Sequence, residues 1–211
     1  MHLTIIAKAP TAGRVKTRLC PPCTPEEAAM IAAAALADTI DAVDAAAESR
    51  RGARRVRRVV LLDGEPANWI PDRYEVVAQH GCGLGERLAN GFDELGPGVV
   101  VGMDTPAGGR WLGDAVDAVA AGRDAIGLAT DGGYWVIGLA TPDRQVFEGI
   151  PMSESHTGAA QLRRLHSLGR PVRMLPMTRD LDDITDLRAH AGTHGPGRLS
   201  AACRSVLDRV G

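Results

Sequence analysis

Seven short apolar runs recur down the chain, most of them separated by a helical or polar stretch. Runs such as Val59-Val60-Leu61-Leu62 and Val99-Val100-Val101-Gly102-Met103 do not alternate apolar with polar residues. A strand of that kind is buried on both faces, which requires helices above and below the sheet. The pattern therefore predicts an α/β fold. Strands are expected at Leu3 to Ile6, Val59 to Leu62, Tyr74 to Ala78 (more exposed), Val99 to Met103, Ala125 to Ala129, Tyr134 to Leu139 and Val172 to Leu175. Asp131-Gly132-Gly133 between the fifth and sixth suggests a tight hairpin, hence one antiparallel strand and a mixed sheet.

Helices fill the gaps. Thr24-Pro25-Glu26-Glu27 combines a hydroxyl cap, proline at the first helical position and a glutamate placed to close a capping box. It predicts a helix from about Pro25 to Glu48. There Ala29, Ala32, Ala33, Leu36, Ile40 and Val43 form one narrow stripe able to lie flat on a sheet, with Asp38, Asp41 and Asp44 facing elsewhere. Further helices are expected over Glu86 to Leu95, Trp111 to Ala121, Ser155 to Leu168, around Asp186 to Ala191, and over Arg198 to Val210. Arg50 to Arg58 reads as a solvated loop and Gly192 to Gly197 as a loose linker.

At 211 residues the chain is expected to form one domain, residues 1–211. Charged residues make up 24% and the net charge is −2, so nothing draws the whole molecule to nucleic acid or an anionic membrane. Aromatics, at 3%, are too few for a base-stacking platform. The first twenty residues have the wrong order of charge and apolar run for a secretory signal, which points to the cytoplasm. Cys20-Pro21-Pro22-Cys23 has redox spacing before a helix start, where a thiol pKa can be lowered, but redox motifs follow a strand directly. Cys82 and Cys203 read as small packing residues.

Several chemistries lack their residues. A dinucleotide fingerprint would need glycine at Glu86, and a Walker loop would need glycine at Val15. No Gly-x-Ser-x-Gly elbow and no zinc-ligand spacing is present. What remains is a basic loop and a set of carboxylates. Lys8, Arg14, Lys16 and Arg18 crowd the stretch after the first strand, with Gly13 able to bring backbone N–H groups to an anion. It reads as a phosphate loop or as a solvated one. Asp104 closes a buried strand, where open α/β sheets bind ligands, and either holds a metal or caps the next turn. Asp131 and the acidic turn Asp180 to Asp183 lie at later strand ends. Cations and carboxylates in one cleft suit a phosphate chain bridged by Mg²⁺ or Mn²⁺.

Ala7-Lys8-Ala9-Pro10, Gly13, Val15-Lys16-Thr17-Arg18-Leu19, Gly102 to Pro106, Asp131-Gly132-Gly133-Tyr134-Trp135 and Asp180-Leu181-Asp182, in that order, resemble a bacterial family of GT-A-like proteins. The family belongs to the nucleotide-diphospho-sugar transferase superfamily. Its members are named as arsenosugar-biosynthesis-type glycosyltransferases or as a domain of unknown function. The resemblance implies a Rossmann-like GT-A fold, with the loop Lys8 to Arg18 around nucleotide phosphates and Asp104 and Asp182 as metal-site residues. It further implies nucleotide contacts from Ala7, Lys8, Gly13, Lys16, Arg18, Gln79, Gly85 and Arg87. Gly83 stands where an aspartate is usual, and Met152 replaces a common tryptophan.

These residues lead to the expectation of a metal-dependent glycosyltransferase acting on a nucleotide-sugar and a small acceptor. Lys16 and Arg18 would stabilise leaving-group charge, and Asp131, beside two glycines that let a substrate approach the backbone, would orient or deprotonate the acceptor unless it is a plain hairpin residue. Two alternatives stand beside it: a nucleotidyltransferase that uses a nucleoside triphosphate and releases pyrophosphate, and a non-catalytic nucleotide-binding protein. No nucleic-acid or membrane partner is expected, and a homo-oligomer is compatible with each reading.

Overall fold

A computed structural model describes residues 1–49, 56–192 and 197–210. Seven strands form one sheet in the order β3-β2-β1-β4-β6-β5-β7. They are β1 (His2–Lys8), β2 (Arg57–Asp63), β3 (Glu75–Ala78), β4 (Gly98–Gly102), β5 (Asp124–Ala129), β6 (Tyr134–Leu139) and β7 (Val172–Thr178). Among the described residues only β6 runs antiparallel, paired with β4 on one side and β5 on the other. The expected α/β architecture with one hairpin is what the chain adopts.

Six helices accompany the sheet among the described residues: α1 (Pro25–Glu48), α2 (Leu84–Leu95), α3 (Leu112–Ala120), α4 (Thr157–Ser167), α5 (Ile184–Gly192) and α6 (Arg198–Val210). One face packs on α1 and α3 through Leu3, Ile5, Leu36, Ile40 and Val116. The other packs on α2 and α4 through Val100, Ile137, Leu88, Phe92 and Leu165. No helix of the described residues is long and apolar enough to cross a membrane.

α1 starts where its cap dictates. Thr24 Oγ1 accepts the Glu27 N–H, and the Thr24 N–H donates to Glu27 Oε2 at 2.8 Å. Glu27 also pairs with Arg209 of α6, at 2.5 Å, so the capping residue ties two helices together. The single stripe expected on α1 is a correction. Ala28, Ile31 and Ala35 are buried as well, on a second face against Leu199, Cys203 and Val206 of α6. The helix is a middle layer, which is why small residues surround it. Asp38 accepts the Arg198 and Leu199 N–H groups and so caps α6.

Two further expectations change. Residues 50–55 of the arginine-rich stretch lie outside the described residues, as do 193–196 of the linker, but Arg57 and Arg58 open β2 rather than a loop. Arg57 pairs with Glu75 and Arg58 with Asp44, which offsets charge at the start of the strand. Cys82 is exposed, not a packing residue, whereas Cys203 is buried.

Candidate active site

The sheet order places the site. From β1 the chain winds outward to β2 and β3, then returns past β1 to β4 and winds the other way. The carboxyl ends of β1 and β4 are thus the point where strand order reverses and where α/β sheets open a crevice. Lys8 ends the first of these strands, and Asp104 follows the second.

The loop after β1 turns back on itself. Gly13 has φ +76, with open space where a Cβ would stand, so glycine serves the backbone there rather than a close neighbour. Val15 and Leu19 are buried and anchor the loop. Lys16 also lies in the left-handed region, at φ 50, an uncommon conformation for a residue with a side chain. The turn aims Lys16 inward. Its Nζ is 2.5 Å from Asp104 Oδ2 and donates to the Leu181 carbonyl, and its side chain is 9% exposed. Arg18 pairs with Asp182 nearer the surface. The loop therefore bridges β4 and the acidic turn.

Two adjoining clefts open here. The first, about 520 Å³, has an apolar floor including Ile6, Leu88, Val100 and Ile137, with Lys8 and Asp104 on its lining. The second, about 530 Å³, is polar and collects Arg18, Asp104, Thr105, Asp131, Asp180 and Asp182. Gly102, Asp104, Tyr134 and Ser153 belong to both. Tyr134 is a half-buried wall whose phenol is pushed well above its usual pKa by desolvation, and its hydroxyl donates to Gln161 Oε1 at 3.4 Å.

The expected site residues separate into groups. Arg18, Asp104, Asp131 and Asp182 line the polar cleft, and Lys16 stands behind it, paired with Asp104. Ala7 and Lys8 line the first. Gln79 and Arg87 reach its edge, but their polar atoms brace the scaffold. Gln79 Nε2 donates to the Ala7 and Leu61 carbonyls, while Arg87 donates to Gln79 Oε1 and pairs with Asp63 at 2.7 Å. That guanidinium holds the Asp63 carboxyl below the ordinary carboxylate range. Gly85 faces a neighbouring hollow, where a Cβ would lie 3.2 Å from Met152 Cε.

Asp131 Oδ1 accepts the Gly133 N–H at 2.7 Å, the local bond of a turn. Of the two glycines beside it, Gly133 lines the polar cleft, but Gly132 leaves no room for a substrate. A Cβ on Gly132 would lie 1.8 Å from the Ser155 carbonyl oxygen, and Gly158 N–H donates to the Gly132 carbonyl at 2.8 Å. Gly132 thus seats the hairpin against the start of α4.

Sequence reasoning gave no role of their own to Asp180, Thr105 and Ser153, which line the polar cleft. Asp180 is pushed up to about 7 by burial, then by the nearby charges of Asp131 and Asp104. Its signal was its place in the acidic turn. Ser153 has φ 63, which no sequence pattern announced. Cys23 is buried and its thiol is pushed up by burial, opposite to the lowering that a redox motif needs.

The carboxylates Asp104 and Asp182 are hard oxygen donors suited to Mg²⁺ or Mn²⁺. No cluster of three or more His, Cys, Asp or Glu able to hold a metal occurs among the described residues. The donor set fits an ion whose shell is completed by ligand oxygens, not a fully caged one.

Residues 31–154 match the model of a family described as "Uncharacterized protein conserved in bacteria (DUF2064)". The chain belongs to the DUF2064 family. The search of the curated proteins finds no match. Among solved structures, the DUF2064 chain is similar to a "putative nucleotide-diphospho-sugar transferase" from Desulfovibrio desulfuricans G20. That similarity has a TM-score of 0.83 and 22% identity over 99% of this chain and 96% of that one. At that identity the likeness shows a shared fold. A CMP:2-keto-3-deoxy-manno-octonic acid synthetase complexed with CTP matches at TM-score 0.46 and 12% identity, over 89% of this chain and 95% of that one, too distant to argue from.

Proposed function

We propose that this DUF2064 protein is a metal-dependent glycosyltransferase that moves a sugar from a nucleotide-diphospho-sugar to a small acceptor. The observation that carries the reading is the meeting of Lys16, from the loop after β1, with Asp104, after β4, at the reversal point of the sheet. The apolar-floored cleft suits a nucleoside, and the polar one suits the sugar and acceptor. Lys16 and Arg18 exchange their carboxylate partners for diphosphate oxygens and offset the charge that develops as the diphosphate departs. Asp104 and Asp182 are the residues that would hold the divalent ion. When bound, the ion supplies further countercharge to the leaving group. Asp131 accepts a hydrogen bond from the acceptor hydroxyl and orients it, or takes its proton.

Isothermal titration with a panel of nucleotide-sugars and Mn²⁺ tests the reading: one or more should bind, and Asp104→Ala should weaken the binding. No binding across the panel sinks it. Product analysis separates the rivals. Glycosyl transfer releases a nucleoside diphosphate, nucleotidyl transfer from a triphosphate releases pyrophosphate, and a non-catalytic protein binds without turnover.

A further inference from the structure

Both ion pairs of the site line one small recess of about 240 Å³, beside the two clefts, together with Lys8 and Arg14 of the same loop. Four cations, Lys8, Arg14, Lys16 and Arg18, there face two carboxylates, Asp104 and Asp182. Lys16 is spent on Asp104 and Arg18 on Asp182. Lys8 and Arg14 are exposed and make no ion pair among the described residues; both act on Asp63, but Arg87 already holds that carboxyl. Asp131, Asp180 and Glu154 line the adjoining polar cleft and not this recess. The recess therefore carries a surplus of positive charge before any ligand enters.

Lys16 stands where that surplus matters most. Its Nζ donates to Asp104 Oδ2 at 2.5 Å and to the Leu181 carbonyl. Oxygens of these two kinds are what a hard divalent ion binds, so the ammonium holds for itself part of the donor set that such an ion needs. The contact is fixed from both sides. Leu19, three residues after Lys16, and Leu181 are fully buried in one apolar cluster, which clamps the loop and the acidic turn together. A divalent ion arriving alone meets like charge and an occupied carboxylate, whereas a diphosphate meets neither obstacle.

We propose that Lys16 is an internal counter-ion that keeps the metal position closed until a diphosphate draws its ammonium away, so that the protein takes a divalent ion together with its diphosphate ligand and not before it. Entry of the diphosphate cancels the surplus charge and frees Asp104 in the same event. By linkage the ion then tightens the diphosphate by the same factor as the diphosphate tightens the ion. That Asp104 holds the ion rests on the transferase reading; the order of binding goes beyond it.

The test uses the full chain with Mn²⁺ alone as the probe, the free ion being followed by electron paramagnetic resonance. Lys16→Met, neutral and of similar length, should bind Mn²⁺ about tenfold more tightly than the parent, the scale of one charge-assisted contact no longer competing for Asp104. The same variant should bind inorganic pyrophosphate, titrated without metal, about tenfold more weakly. The opposite signs are the signature, since loss of a merely structural lysine weakens both ligands. Lys16→Gln, neutral but still a donor to the Leu181 carbonyl, serves where the methionine variant does not fold. Adding Asp104→Asn to either should abolish the gain in Mn²⁺ affinity. Unchanged or weaker Mn²⁺ binding in the folded Lys16 variants overturns the proposal. So does a gain that survives Asp104→Asn, which would put the ion on the carboxylates of the adjoining polar cleft. The nucleotide-sugar panel tests the transferase reading separately, so that either can fail while the other stands.

Discussion

Lys16 and Asp104, 88 residues apart in sequence, are joined by a 2.5 Å ion pair that ties the loop after β1 to the end of β4. The pair is largely shielded on the lysine side and sits on a left-handed backbone turn. Strain of that kind persists only where the surroundings hold it, and it concentrates at sites of function. Lys16→Ala is therefore expected to lower affinity for a nucleoside diphosphate at least about tenfold, the cost of one charge-assisted contact. Isothermal titration checks it. Unchanged affinity in a folded variant would remove Lys16 from the site.

Arg18 and Asp182 form the contrasting case. Their side chains are 71% and 38% exposed, and exposed pairs contribute little to stability. Arg18→Ala should leave the denaturant midpoint unchanged and still weaken diphosphate binding, with a shallower salt dependence than the parent protein. A loss of stability without a loss of binding would make the arginine a structural clamp instead.

The hairpin glycines test a different claim. If Gly132 serves packing against Ser155, then Gly132→Ala is strained twice, by φ +92 and by the collision with the carbonyl. Unfolding should become easier by about 3 kcal/mol or more. Denaturant melts decide it; a variant of normal stability with impaired turnover would restore the glycine to substrate access.

Much of this layout was legible in the sequence because it depends on local chemistry. The start of α1 follows from Thr24, Pro25 and Glu27, the antiparallel β6 from the Asp131-Gly132-Gly133 turn, and Asp104 from its place after an apolar run. The parts that were not legible depend on long-range partners. The second buried face of α1 exists because α6, from the far end of the chain, packs there, and Asp38 caps that helix across 160 residues. Gln79 and Arg87 look like ligand contacts in a motif, yet their hydrogen bonds are spent on the Ala7 carbonyl and Asp63, which only the sheet brings close. Thr105 falls within the Gly102 to Pro106 motif, but that its buried hydroxyl lacks a partner is a property of the fold around it.

Thiol chemistry follows from burial. Cys82 is exposed, Cys23 and Cys203 are buried, and burial pushes the Cys203 thiol up to about 11. A thiol reagent at neutral pH should modify Cys82 first and reach Cys23 and Cys203 only on unfolding, since the thiolate is the reactive form. Mass spectrometry of partly labelled protein reads the order. Rapid modification of Cys23 in the native protein would reopen a redox role.

His2 gives the protein a pH dependence remote from the clefts. It lies fully buried at the start of β1, with Nε2 3.0 Å from the Gly96 carbonyl and Nδ1 2.7 Å from Thr4 Oγ1. The arrangement suits a neutral ring that donates from Nε2 and accepts the Thr4 hydroxyl at Nδ1. Burial lowers its pKa to about 4, with Arg57 and the N-terminus adding to the effect and the Gly96 carbonyl and Glu75 opposing it. Between 6.5 and about 4 the unfolded chain thus binds a proton that the folded one refuses. Stability is complete above pH 6.5 and falls as pH drops through that window, by about 2 kcal/mol on reaching pH 5. His190, also lowered by burial, contributes with the same sign, so the decisive quantity is a difference between variants. His2→Gln keeps a donor and an acceptor but does not titrate. Its denaturant midpoint should change less between pH 7 and pH 5 than the parent's, and equal changes in the two would show that His2 is protonated in the folded protein.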